Sequence, residues 1–385
     1  MSVTTPKGFV AAGVTAGLKA SGRPDLALVV NNGPEAHAAA VFTGNRFKAA
    51  PVLFSMGAVA DGRLAAVVLN SGGANACTGA AGLADATQMA DWTAAALGCP
   101  AHDVAVCSTG LIGVRLPMDA VLAGIEVAAQ DLSSEGGPSA AEAIMTTDTV
   151  SKQAEFRSPN HWSIGGMAKG AGMLAPALAT MLVVITTDAS LPAAALDAAL
   201  RTATGFTFDR TDSDGCMSTN DTVILMASGA SGVVPDADEF TEALTGVCHS
   251  LARQLLTDAE GSAHDIEVTV TGAATEADAL DVARAIARSN LFKCAIFGND
   301  PNWGRVLAAA GTASAPFDPD HVDVSFNGVD VFVDGQLGAD RSTVDLTVGR
   351  DVVVDVNLHA GEATATIWTN DLTYDYVKEN AEYST

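Results

Sequence analysis

A threonine that follows an alanine and opens an apolar run has the makings of an amino-terminal nucleophile. Thr180 is such a residue: Ala179 precedes it, and Met181 to Thr187 form a β-branched apolar run that ends at Asp188. Upstream stand Lys169 and a loop broken by Gly170 and Gly172. Cutting the Ala179–Thr180 bond would give Thr180 a hydroxyl and a free α-amine, so nucleophile and base would share one residue. That amine, with an unperturbed pKa of about 8, is a usable base near neutral pH, and a neighbouring cation would lower the value further. The same residue also fits an ordinary structural role, because β-branched residues favour strands. The chain has no G-x-S-x-G elbow and no Cys/His pair of convincing spacing, so the usual acyl-transfer constellations are absent.

Further polar blocks punctuate the chain. Val104–Cys107 reads as a short strand running into Ser108, Thr109 and Gly110, a small-residue turn that presents hydroxyl and N–H groups. Asn70–Gly79, NSGGANACTG, fits either a strand-to-helix loop or a site where backbone closely approaches a ligand. Thr146, Thr147, Asp148 and Thr149 follow a helical stretch, as a cap or turn would. Asp258–Gly261 (DAEG) places Glu260 in a turn. Phe208–Asp221 resembles a calcium loop only superficially: with Gly215 at position six, Arg210 falls where a carboxylate is required. The six cysteines form no C-x-x-C pair and the histidines no H-x-x-x-H pair, so no metal is expected and the thiols read as free.

The elements that must position these residues are legible in outline. Strands are expected at Asp25–Asn31, Ala38–Phe42, Leu64–Leu69, Thr222–Ser228 and Ile266–Thr271, with short alternating strands over Val322–Val356. Helical spacing marks Ala80–Leu97, Pro117–Val127, Ser139–Met145, Leu191–Thr204, Asp238–Thr257 and Asp278–Ser289. This mixture predicts an α/β or α+β body of sheets flanked by helices. There is neither an internal repeat nor a low-complexity linker, so the best division is at the candidate cut: an α chain, residues 1–179, and a β chain, residues 180–385.

Composition bounds the partners. The net charge is −25 over 385 residues with 48% hydrophobic content, which supplies a sizeable core and excludes the basic footprint that nucleic acid or anionic membranes require. No window approaches the roughly 18 uninterrupted apolar residues of a membrane span. The first residues, MSVTTPKGF, lack signal-peptide character, so a cytoplasmic location is expected. An anionic substrate would need a local cation, and Lys169 is among few candidates.

The stretch from Lys169 to Ala189, with NSGGANACTG, STGLIG, MTTD, DAEG and FGNDPNWGR, resembles the ornithine acetyltransferase family, also called bifunctional glutamate N-acetyltransferase or ArgJ, over essentially the whole chain. The resemblance implies an αββα-type sandwich of the kind shared with the DmpA group, similar to N-terminal-nucleophile hydrolases. It implies self-cleavage at Ala179–Thr180 and an acetyl-Thr180 intermediate. Acetyl would pass from N-acetyl-L-ornithine to L-glutamate, with no cofactor, in arginine biosynthesis. Whether acetyl-coenzyme A also serves as donor stays open. The Thr109 hydroxyl and Gly110 N–H are implied as oxyanion donors and Lys169 as the cation beside the nucleophile. Thr146, Lys169, Thr180, Glu260, Asn380 and Thr385 are implied as substrate contacts. Ala259 departs from the family's GEG-like turn. An assembly of two α and two β chains is implied, and a DmpA-like amidohydrolase or aminopeptidase is the alternative activity.

Overall fold

Strands that are apolar along their whole length need cover on both faces. The computed structural model describes residues 2–173 and 181–382, so Ala179, Thr180 and Thr385 lie outside the described residues. In chain order the strands are β1 (Phe9–Val14), β2 (Leu26–Asn31), β3 (His37–Phe42), β4 (Ala66–Gly73), β5 (Val104–Leu111), β6 (Lys152–Arg157), β7 (Ser163–Lys169), β8 (Leu182–Thr187), β9 (Thr222–Ala227), β10 (Asp265–Ala273), β11 (Asp323–Phe326), β12 (Val329–Val333), β13 (Gln336–Leu337), β14 (Asp351–Asn357) and β15 (Ala363–Asn370). The helices are α1 (Ala50–Ala58), α2 (Gly79–Leu97), α3 (Met118–Gln130), α4 (Gly137–Ala143), α5 (Ala193–Phe206), α6 (Ala237–Thr257), α7 (Glu276–Ala287), α8 (Asn290–Phe297), α9 (Trp303–Ala310) and α10 (Tyr374–Glu382).

Side-chain alternation in the strands builds four layers. In β8, Val183 and Ile185 pack with Leu196 and Leu200 of α5 and Leu244 and Leu251 of α6. Leu182 and Val184, on the opposite face, join Val29, Val67, Leu69 and Ala105 of a second sheet. The far side of that sheet, through Leu28, Val68 and Val106, meets Met89 of α2 and Ile125 of α3. The order is therefore helix, sheet, sheet, helix: an αββα sandwich. Its sheets run β3-β9-β8-β7-β6 and β1-β2-β4-β5. The parallel pairs β4·β5 and β8·β9 each bracket a crossover helix, α2 and α5 respectively. Each Leu or Val fully buried in these layers contributes about 1.5–3 kcal/mol relative to exposure.

A second body follows with a core of its own. Strands β10–β15 form a six-stranded sheet in the order β13-β12-β11-β14-β10-β15. Helices α7, α8 and α9 cover it through Val282, Ile286, Phe292, Ile296 and Val306. The two bodies adjoin at Asp258–His264, between α6 and β10, and α10 returns there: a Cβ on Gly261 would lie 2.1 Å from the Tyr376 backbone nitrogen. Composition gives no hint of this second core, because no linker precedes it. The helix expected from Leu191 begins two residues later, with Pro192 extended at its N-cap. Among the described residues no helix is long and apolar enough to cross a membrane.

Candidate active site

The end of β5 and the bulged end of β4 form the floor of a cavity of about 610 Å³. Gly110 has φ +127°, and a Cβ there would meet the Gly72 carbonyl carbon and the Gly73 nitrogen at 2.6 Å, so only glycine fits both the backbone and the space. The preceding turn is braced from below. The Ser108 hydroxyl donates to Asn70 Oδ1 (2.6 Å), Asn70 Nδ2 donates to the Gly73 carbonyl (3.0 Å), and Asn220 Nδ2 donates to the carbonyls of Ala74 (2.7 Å) and Ser108 (2.8 Å). The asparagine and glycine-rich block thus serves the Thr109–Gly110 turn.

Lys169, the last residue of β7, is 2% exposed and points its ammonium at Thr109 Oγ1, 3.2 Å away. A hydroxyl that accepts this bond keeps its own hydrogen for another acceptor. Burial lowers the Lys169 pKa. Asp148 opposes that shift, nearby Lys152 adds to it, and Glu260 and Asp221 oppose it. Across the β7–β8 ladder Lys169 pairs with Leu182. Met181, just before β8, donates its N–H to Asp221 Oδ1 at 3.0 Å. Burial pushes the Asp221 carboxyl well above the usual carboxylate range.

Behind the cavity lies a charge network. Asp148 accepts from Lys152 Nζ (2.6 Å), the Gly170 N–H (2.7 Å) and the Thr146 N–H (2.8 Å). Burial alone would raise the Asp148 pKa, but Lys169 and Lys152 outweigh it and hold the carboxyl well below its ordinary value. Lys152, wholly buried, also donates to Asp258 Oδ2 at 2.5 Å. Glu260 accepts from the Thr147 hydroxyl (2.8 Å), and its backbone N–H binds the Ala171 carbonyl (2.9 Å). Gly172 lies opposite it, and a Cβ there would come 2.7 Å from Glu260 Oε2, so a larger residue would displace the carboxylate.

Of the residues singled out from the sequence, Thr109, Gly110, Thr146, Lys169, Glu260 and Asn380 line this one cavity. Asn380 reaches it from α10, where its side chain donates to the Tyr376 carbonyl at 3.0 Å. Thr180 and Thr385 lie outside the described residues, as does the Ala179–Thr180 bond. Lys19, Asp214 and Tyr376 also line the cavity, and no motif in the sequence marks them as site residues. For Lys19 a signal existed, because the chain has seven lysines and any one near a glycine-rich floor merits notice. Desolvation, then Asp214 and Glu260, push the Tyr376 hydroxyl up to about 12, so it stays protonated at neutral pH. All six cysteines are free, and among the described residues no cluster of three His, Cys, Asp or Glu is placed to hold a metal ion.

Two sheets between helical layers, with a charged cavity at the sheet ends, define an α/β enzyme of the αββα-sandwich class. Comparison with known proteins narrows this. The sequence profile of the ArgJ family matches residues 10–385. The arginine biosynthesis bifunctional protein ArgJ of Streptomyces coelicolor is 62% identical over 384 residues, and its counterpart in Thermobifida fusca 61% over 385, each covering 100% of both chains. Among solved structures, the ornithine acetyltransferase of Mycobacterium tuberculosis in complex with ornithine is 55% identical, with TM-score 0.45, over 47% of this chain and 96% of that one. The chain belongs to the ArgJ family and is an acyltransferase of arginine biosynthesis.

Proposed function

We propose that the protein transfers acetyl from N-acetyl-L-ornithine to L-glutamate through an acetyl-Thr180 intermediate, after cutting its own Ala179–Thr180 bond. The observation that carries the reading is the buried Lys169 ammonium bonded to Thr109 Oγ1 beside Gly110, at 3.2 Å. That arrangement leaves the Thr109 hydroxyl and the Gly110 N–H as donors for an oxyanion. The names of the full-length relatives support a role in arginine biosynthesis.

In the first half-reaction the Thr180 hydroxyl oxygen attacks the acetyl carbonyl and its proton passes to the Thr180 α-amine. The oxyanion forms against Thr109 and Gly110. As the tetrahedral species collapses, the C–N bond breaks and the amine returns the proton to the departing α-nitrogen of ornithine. Glutamate then enters, and its neutral α-amine attacks the threonine ester by the same steps in reverse. Lys169 favours the neutral form of the Thr180 amine by electrostatic repulsion of the ammonium. Thr146, Glu260, Asn380 and Thr385 are assigned to hold the amino-acid portion. No step calls for a metal or an organic cofactor. Self-cleavage uses the same hydroxyl against the Ala179 carbonyl, and water opens the resulting ester.

Thr180→Ala is expected to run as one chain on a denaturing gel and to transfer no acetyl, whereas Thr180→Ser retains some cleavage. Two fragments from the alanine variant, or wild-type transfer with the 179–180 bond intact by mass spectrometry, would refute the scheme. Acetate release that does not depend on glutamate would assign the chain to hydrolysis instead.

A further inference from the structure

We infer that Lys19 is the residue that receives the α-carboxylate of the amino-acid substrate. The inference rests on the reaction proposed above, and four observations lead to it. Lys19 lines the same cavity as Thr109, Gly110 and Lys169. The segment that carries it is built rather than loose. The fully buried Asp25 carboxylate accepts the N–H groups of Ala16 (2.6 Å), Gly17 (3.1 Å), Leu18 (2.6 Å) and Lys19 (3.0 Å). The segment also abuts the floor of the site: a Cβ on Gly72 would lie 3.1 Å from the Leu18 carbonyl oxygen, and Gly72 itself packs on Gly110. Finally, the Lys19 ammonium donates to the Pro24 carbonyl at 2.7 Å, and among the described residues no carboxylate lies within 4.0 Å of it.

An ammonium has three donors, and this contact uses one. Among the described residues Lys152 is the lysine paired with carboxylates, whereas Lys19, half-buried on a cavity wall, keeps donors available to an anionic group. Burial, the largest influence, lowers its pKa to about 8, with Asp25 opposing and Arg23 and Lys169 adding to the shift, so Lys19 remains mostly cationic at neutral pH. Lys169 is 2% exposed with its ammonium directed at Thr109 in the oxyanion turn, whereas Lys19 is half-buried on the wall beside it. N-acetylornithine and glutamate both carry a carboxylate on the carbon that bears the reacting nitrogen. A cation whose segment is packed against the oxyanion turn is therefore suited to the group nearest the reacting bond in both half-reactions. The side-chain carboxylate of glutamate, by contrast, is matched in ornithine by an ammonium.

The test combines an enzyme variant with a substrate variant, using the full chain as expressed. Lys19→Met should raise KM for N-acetyl-L-ornithine and for L-glutamate by roughly tenfold each while kcat changes little, the expected loss of a charge-assisted hydrogen bond made equally in ground and transition states. Lys19→Arg should recover most of that loss. Wild-type enzyme should use N-acetyl-L-ornithine α-carboxamide roughly tenfold less well than the acid, and Lys19→Met should treat the two alike. Undiminished discrimination by Lys19→Met overturns the inference. So does a KM change confined to glutamate, which would assign Lys19 to the side-chain carboxylate. If wild-type protein transfers no acetyl, the reaction scheme has failed, and calorimetric binding of the acid and the carboxamide to wild type and Lys19→Met decides the role of Lys19 by the same criterion.

Discussion

Lys152 sets the hardest test of how the site is held. Its ammonium is wholly buried between Asp148 (2.6 Å) and Asp258 (2.5 Å), and Lys152→Met keeps its length while removing its charge. Breaking a buried pair by removing one partner costs about 3–5 kcal/mol, because the remaining charge is left uncompensated. Here two carboxylates lose their cation, but each keeps other donors. Asp148 retains the N–H groups of Thr146 and Gly170 and the field of Lys169, and Asp258 retains the N–H and hydroxyl of Thr149. The loss should therefore fall near the lower end, about 3 kcal/mol in urea unfolding followed by circular dichroism. Asp148→Asn added to Lys152→Met removes one orphaned charge and should restore about 1 kcal/mol or more. The pH dependence has a definite sign. Asp148 is depressed below its ordinary value, so its contribution is present above the unfolded value of about 3.9 and is lost as pH falls toward the folded one. Asp148→Asn should flatten that acid limb. A loss under about 1 kcal/mol for Lys152→Met, or no recovery in the double variant, would refute the account of a charge network that fixes Gly170 and the Glu260 turn.

Two smaller perturbations read the chemistry and the roof of the site. Thr109→Val keeps the shape of the side chain and removes its hydroxyl, so kcat should fall by on the order of 10²–10³ with the fold intact by circular dichroism; a change below about threefold would remove Thr109 from the oxyanion site. Gly261→Ala places a methyl 2.1 Å from the Tyr376 nitrogen at a residue with φ +61°, which should displace α10 and Asn380, raise KM severalfold, and expose the C-terminal segment to limited proteolysis. Unchanged KM and protease resistance would show that α10 does not close the cavity.

Much of the αββα body is legible because its strands are simple. Leu26–Asn31, Ala66–Leu69 and Leu182–Thr187 are apolar runs of strand length. β7 is not of that kind. It reads SIGGMAK, yet it is central and buried throughout. Its glycines are dictated from outside the strand: a Cβ on Gly165 would strike the Ser2 carbonyl at 2.2 Å, and one on Gly166 would press Leu251 at 3.0 Å. α10 has no fully buried side chain, so it is placed by tertiary contacts such as those at Gly261 and the edge-on packing of Tyr374 against Phe297. The polar run Thr146–Thr149 reads locally as a cap, and nothing local tells that Asp148 sits between two buried lysines. The site residues themselves were reachable by resemblance, since single threonines, glycines and lysines carry no spacing signal of their own.

The way the chain is threaded bears on what a cut at 179–180 would do. The five-stranded sheet takes β3, β6 and β7 from before that point and β8 and β9 from after it, in the order β3-β9-β8-β7-β6. Two ladders therefore join the halves, β3·β9 and β7·β8, each with six residue pairs in antiparallel register. The cores on both faces of this sheet mix side chains from each half, such as Met167 with Leu182 and Ile164 with Val183. A break in the backbone at this place would free a chain end without freeing a domain, because the hydrophobic layers that hold the halves together remain buried. Lys169, at the end of one half, pairs with Leu182 near the start of the other, so the cation stays in register with the residue that follows Met181. The topology thus keeps the two segments paired whether or not that bond is intact, and the Asp148–Lys152–Asp258 network is made without it.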